Sequence, residues 1–152
     1  MPKLRLTFAL FVLVLAGCAG SPRVAQSPNA QPGSELLPPS FAGNFFTEVC
    51  LTTAPSFEKV PQAIASDPFV QDQKTGTYFH KFANLSIKVS DYGCSLVFKS
   101  VLSIDETVAE LAAGTTKNAA NWGVEIPRNI EVTSNPSPDG KGRYFRIGVP
   151  RP

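Results

Sequence analysis

The sequence predicts a single small α+β domain, with two to three helices packed on an antiparallel sheet of two hairpins. Residues 85–89 and 94–98 each alternate apolar with polar side chains, and the turn-forming residues 90–93 join them into one hairpin. A second hairpin is predicted where residues 130–132 and 144–149 flank a stretch rich in proline, aspartate and glycine. Helical periodicity precedes and separates the two hairpins, an order typical of α+β folds.

The first predicted helix begins after Ser40, whose hydroxyl would cap it. Its apolar positions recur every four residues and form two neighbouring rows: Phe41, Phe45 and Val49, and Phe46 and Cys50. A second, short helix is predicted within residues 57–65, with Pro61 in its first turn.

The third predicted helix begins at Ser103, which forms a capping box with Glu106. Its predicted buried face consists of Ile104, Val108, Leu111 and Ala112. Gly114 indicates a C-terminal stop, although a further turn through residues 119–120 fits the sequence as well.

Residues 1–17 have the pattern of a secretory signal peptide. Lys3 and Arg5 are followed by an apolar run that is shorter than the roughly 20 residues a membrane-spanning helix needs. The run ends in Leu-Ala-Gly-Cys at residues 15–18, which resembles the lipobox of bacterial lipoproteins. This resemblance implies that Cys18 receives a diacylglycerol, that the signal is cut before it, and that several acyl chains then hold the protein stably on a membrane.

Residues 18–40 are predicted to be a lipidated cysteine followed by a tether. The stretch holds five prolines and no aromatic residue, so it buries too little apolar surface to offset its ordering entropy. The globular domain is predicted to occupy residues 41–152. Ala19 follows the lipobox cysteine, where an aspartate would resemble an inner-membrane retention signal. We therefore expect the protein in the cell envelope, on the outer membrane facing the periplasm.

The charge of the chain does not indicate a nucleic-acid partner. The formal charge is +2, and removal of Lys3 and Arg5 with the signal leaves 12 basic against 12 acidic residues. Basic residues nevertheless concentrate towards the C-terminus, where they form either a solvated strand face or a surface for anionic lipid headgroups or a partner. The residues concerned are Arg128, Lys141, Arg143, Arg146 and Arg151.

A disulfide between Cys50 and Cys94 is predicted, because lipidation of Cys18 leaves an even pair of cysteines in an oxidising compartment. Both lie on apolar faces of their predicted elements. Two buried free thiols, or a redox-active pair, are the alternatives, although a Cys-x-x-Cys arrangement that would lower a thiol pKa is missing from the sequence.

No constellation in the sequence indicates a catalytic, metal or cofactor site. His80 is the only histidine and has no fixed nucleophile partner, so we expect it to be structural or solvent-facing. The residues that would share a zinc site with His80 are missing, and the carboxylates are scattered, so the sequence does not support a glycosidase-like pair among them. Tyr92 and Trp122 are aromatic residues in predicted loops, where they would anchor a binding pocket or close the edge of the core.

The sequence around the two cysteines resembles small alphaproteobacterial lipoproteins, through Cys-Leu-Thr-Thr-Ala-Pro at residues 50–55 and Cys-Ser-Leu-Val-Phe at residues 94–98. This resemblance implies no particular activity. We therefore expect a non-enzymatic, membrane-anchored periplasmic domain that binds or supports another envelope component. The alternatives are a small inhibitor of an envelope-active hydrolase and a small hydrolase whose site is assembled in space.

Overall fold

One mixed sheet of seven strands and three helices form the domain in the computed structural model, which describes residues 23–152. The predicted signal peptide and Cys18 lie outside the described residues. The strands are β1 (Ala25–Ser27), β2 (Phe69–Asp72), β3 (Tyr78–His80), β4 (Leu85–Ser90), β5 (Gly93–Ser100), β6 (Glu131–Pro136) and β7 (Arg143–Pro150). The helices are α1 (Pro39–Phe46), α2 (Val60–Ala63) and α3 (Ile104–Trp122). These elements confirm the α+β class.

The strand order is β1-β2-β3-β4-β5-β7-β6, and every neighbouring pair is antiparallel except β1 and β2. The two predicted hairpins are present as β4–β5 and β6–β7, and they join directly because β5 pairs with β7. The sheet is larger than predicted, since β1, β2 and β3 extend it beyond β4. Strands of three or four residues are too short for an alternating pattern to distinguish them from loops.

Residues 25–35 run along the sheet, whereas the sequence predicts a tether there. Strand β1 pairs in parallel with β2, and the Gly33 and Glu35 amides donate to the His80 and Phe82 carbonyls at 2.9 and 3.0 Å. Backbone hydrogen bonds to a sheet edge hold this segment, and they do not depend on the aromatic side chains that it lacks. The stretch available as a free spacer is therefore shorter than predicted.

Helix α1 begins at Pro39, so Ser40 lies inside its first turn. The prediction that Ser40 is the N-cap is therefore wrong. The chain continues beyond Phe46 as a π-helical turn, Thr47–Leu51, which ends beside the sheet. The row that holds Phe46 and Cys50 is completely buried, whereas Phe41 is partly exposed. Helix α2 carries Pro61 in its first turn, as predicted.

Helix α3 begins with the predicted capping box. The Glu106 amide donates to the Ser103 hydroxyl at 3.3 Å, and the Ser103 amide donates to the Glu106 carboxylate at 3.1 Å. The predicted stop at Gly114 is wrong, because the helix continues to Trp122 and ends at Gly123 with a positive φ of 63°. The predicted buried face is also wrong except at Leu111. The residues that α3 buries are Thr107, Leu111, Gly114, Thr115 and Ala119.

The predicted disulfide between Cys50 and Cys94 is confirmed, with Cα atoms 5.6 Å apart. It joins the π-helical turn after α1 to the first residues of β5, and both cysteines are buried. At the other end of β5, Phe98 stacks on Phe145 of β7 with ring centroids 5.8 Å apart. The bond therefore fixes the helical layer to the centre of the sheet, which positions the surfaces described next.

Candidate functional site

An apolar groove of about 180 Å³ lies between helix α3 and the edge strand β6. Val132 and Ile147 are paired in register, so both side chains point to the helical side of the sheet and form the floor. The helix contributes one wall, and the connection from α3 to β6 contributes the other. The wall residues are Val108, Leu111, Ala112, Thr115 and Thr116 on the helix, and Ile126 and Ile130 on the connection.

The groove is open because most of the large apolar residues of α3 do not pack against the sheet. Small residues of α3 contact α1, and this contact turns Val108 and Ala112 away from the core. Val108 and Val132 are 38% and 39% exposed, on opposite sides of the same groove. Single exposed apolar residues are ordinary on a surface, whereas a contiguous apolar lining marks a place where another molecule can bind.

Among the described residues, strand β6 is the edge of the sheet on this side and pairs with β7 alone. Its outward-pointing backbone N–H and C=O groups are therefore available to a further strand. An extended peptide that pairs with β6 would point alternate side chains into the groove, which is the geometry of strand addition. The arrangement can bind a polypeptide segment through backbone hydrogen bonds and apolar contacts together.

A second, larger depression of about 460 Å³ lies on the helix-free face of the sheet, beside the β4–β5 turn. Gly148 is one of its lining residues, and charged side chains of both signs line it as well, namely Arg146, Arg151, Asp91 and Glu131. Tyr92 lines it and is 86% exposed. Because the charges oppose one another, this depression has no strong preference for an anionic or a cationic ligand.

The five C-terminal basic residues do not form one surface. Lys141 and Arg143 lie at the β6–β7 turn. Arg146 and Arg151 both line the depression on the helix-free face, and Arg151 follows the far end of β7, about 26 Å of extended strand from Arg143. The Arg151 guanidinium donates to the Ser56 carbonyl at 3.1 Å and stands over the Phe57 ring.

The remaining basic side chains have separate surroundings as well. The Arg143 guanidinium donates to the Ser134 hydroxyl at 3.3 Å, and Arg128 is exposed in the connection before β6. Near Lys141, Asp139 pairs with Lys99, which holds the pKa of that carboxyl well below its usual range. Binding of an anionic surface by these residues stays a prediction.

His80 has a structural role in the loop between β3 and β4. Its Nδ1 accepts hydrogen bonds from the Ala83 and Phe82 amides at 2.8 and 3.3 Å, so this nitrogen is unprotonated. Burial lowers the pKa of His80 and outweighs the nearby carboxylates of Asp67 and Glu35, which act in the opposite direction. The neutral imidazole also packs edge-on against Phe69 and thereby fixes the loop.

Neither exposed aromatic residue singled out in the sequence lies in the apolar groove. Trp122 is 55% exposed in the last turn of α3, and Tyr92 belongs to the depression on the opposite face. The groove was missed because its lining comes from residues predicted to be core. Val108 and Ile130 follow helical and strand periodicity, which does not distinguish a buried face from an open groove.

Within residues 23–152, no helix is long and apolar enough to cross a membrane, and no three metal-ligating side chains come together. Comparison with protein families, curated proteins and solved structures finds no match for this chain. The fold and the groove define a two-layer α+β domain with one open sheet edge beside an apolar groove.

Proposed function

We propose that this chain is a lipid-anchored protein of the bacterial cell envelope whose domain binds an extended segment of another envelope protein, without catalysis. The lipobox-like residues 15–18 support the anchor, and Ala19 favours the outer membrane, with the domain in the periplasm. The Cys50–Cys94 disulfide fits an exported protein, because such bonds persist in oxidising compartments. Identification of the lipid-bearing residue as Cys18 rests on the sequence pattern.

The observation that carries the binding function is the apolar groove beside the unpaired edge of β6. Ile147 in the floor and Leu111 in the helical wall are buried, whereas Val132 in the floor and Val108 in the wall are partly exposed. A bound strand would cover these exposed apolar side chains and the free backbone groups at once, which favours a polypeptide over a small polar ligand.

Val132→Asp is expected to reduce partner binding at least tenfold, because the carboxylate would enter the apolar groove and lose hydration there. The matched control is Thr133→Asp, the next residue of the same strand, whose exposed side chain points to the opposite face. A photocrosslinking residue in place of Val108 reports binding in intact cells. We expect one discrete adduct with an envelope protein, weakened by Val132→Asp and kept in Thr133→Asp.

Equal adducts in both variants would contradict the proposed site. Loss of the adduct from both variants would show that either substitution perturbs strand β6, and the loss would then not assign binding to the groove. Capture of a cell-wall hydrolase whose activity is inhibited in the complex would make this protein an inhibitor of that hydrolase. Turnover of cell-wall substrates by the purified protein, with no adduct, would contradict binding as the function.

A further inference from the structure

Five large apolar side chains are exposed at one end of the sheet, called here the apolar end. Phe82 and Val101 are the most exposed of them, at 63% and 60%. They come from three separate segments: the chain before α1, the β3–β4 loop, and the β5–α3 connection together with the first residue of α3. The apolar end consists of Leu36, Phe82, Val101, Leu102 and Ile104.

Strand register places these segments at the same end. The Phe82 loop joins the end of β3 to the beginning of β4. Leu85, the first residue of β4, pairs with Phe98, two residues before the end of β5, so β5 ends on the same side of the sheet as this loop. Strands β3 and β5 are two positions apart in the sheet, about 10 Å, so the Phe82 loop and the Val101 segment lie side by side. The Glu35 amide bonds to the Phe82 carbonyl, which brings Leu36 to the same loop.

The backbone of the apolar end is held in place by contacts within the fold. The Phe82 and Ala83 amides donate to the His80 imidazole, and a Cβ on Gly142 would lie 3.2 Å from the Val101 Cα, so the β6–β7 turn rests directly on that segment. A surface fixed in this way loses little conformational entropy when it binds.

The chain enters the domain at this same end. β1 runs parallel to β2, and Ala25 pairs with Val70 near the first residue of β2, which itself pairs with His80. Val24 already packs against the core. Four residues lie between Cys18 and Arg23, and the five residue-to-residue steps span at most about 18 Å when fully extended. A lipid on Cys18 would therefore hold this end of the domain close to the bilayer.

The charges at the apolar end nearly balance. The basic and acidic residues around it are equal in number: Arg23, Lys81, Lys141 and Arg143 on the one hand, and Glu35, Asp67, Asp105 and Glu106 on the other. The Lys99–Asp139 pair is neutral as a unit. Contact with a surface at this end therefore depends on apolar burial and not on attraction between opposite charges, which distinguishes it from the basic surface predicted from the sequence.

We propose that the apolar end is a membrane-contacting surface, which rests on the interface of the bilayer that holds Cys18. Phe82 and Val101 enter the headgroup region, and the groove between α3 and β6 stays in the aqueous phase, free for its partner. This proposal rests on the lipid anchor of the proposed function. The occupant is the bilayer because the short connection to Cys18 ends at this same surface.

The test uses the mature acylated protein in phosphatidylcholine vesicles, with one added cysteine labelled by an environment-sensitive fluorophore. Phe82→Cys and Val101→Cys probe the apolar end, and Tyr92→Cys, in the turn at the opposite end, is the control. The new thiol is the one that reacts, since Cys50 and Cys94 are bonded and Cys18 is acylated. Lipids that carry a nitroxide near the headgroup are expected to quench the first two probes at least twofold and leave the third unchanged.

High salt should leave the quenching intact. Equal quenching at all three positions, or none at residues 82 and 101 while the protein stays on the vesicles, would overturn the proposal and leave the anchor standing. A blue shift of the probe emission that grows with protein concentration, without nitroxide quenching, would show that the apolar end contacts a second copy of this chain. That outcome would overturn the proposal too. Release of the protein from the vesicles would contradict the anchor itself.

Discussion

Cys50→Ala is expected to lower the free energy of unfolding by about 4 kcal/mol. The bond joins residues 44 positions apart, and a closed loop of this length removes that much chain entropy from the unfolded state. For a domain of this size, such a loss is a large share of the net stability. The bond also fixes the end of the helical layer to β5, so its loss frees the two layers where they meet.

Urea denaturation of the purified, oxidised protein measures this loss, and Cys94→Ala and the double variant serve as controls. All three should lose nearly the same free energy, because each removes the same bond once. A double variant that loses twice as much as either single variant would show that packing of the two side chains, and not the bond, is responsible. Two alkyl groups added to the unreduced, unfolded protein at Cys50 and Cys94 would contradict the bond.

Gly114→Ala is expected to destabilise the domain by about 2 kcal/mol, although alanine is favoured over glycine inside a helix by about 1 kcal/mol. A Cβ at this position would lie 2.0 Å from the Ser40 carbonyl oxygen, so α3 and α1 would have to separate. Gly43 faces α3 in the same way, with its added Cβ 2.3 Å from the Leu111 carbonyl oxygen.

Denaturation of Gly114→Ala, Gly43→Ala and the double variant tests this close approach of the two helices. The double variant should lose less than the sum of the single losses, because helices separated by one methyl group already accommodate the second. Gly123→Ala is the control, since nothing lies within 4 Å of its added Cβ and the left-handed backbone alone costs about 1 kcal/mol. Stabilisation by Gly114→Ala would contradict the helix contact.

Local sequence patterns predicted several elements, long and short. The hairpins β4–β5 and β6–β7, the capping box at Ser103 and the short helix at Pro61 are present where the sequence indicates them. Each depends on residues close together in the chain. The pairing of β5 with β7 and of β1 with β2 could not be predicted in this way, because it joins segments separated by more than 40 residues.

The errors on α3 have one physical cause. The sequence predicts the most apolar stripe of α3, with Ile104 and Val108, as its core face, whereas the face that contacts α1 is made of small residues such as Gly114 and Thr115. Glycine and threonine carry little hydrophobic signal, yet they allow the two backbones to approach closely. The large residues of α3 therefore lie on the surface, where they line one wall of the apolar groove and form part of the apolar end.

The chain's attachment to a membrane is the claim on which the proposed location and the membrane-contacting surface depend. Mass spectrometry of the N-terminal tryptic peptide of the mature protein tests it most directly. We predict a peptide of residues 18–23 whose first residue is Cys18 bearing a diacylglycerol and an acylated amine, and whose lipid is lost in Cys18→Ser. A chain that retains residues 1–17 with an unmodified Cys18, or equal fatty-acid label in wild type and variant, would contradict the anchor.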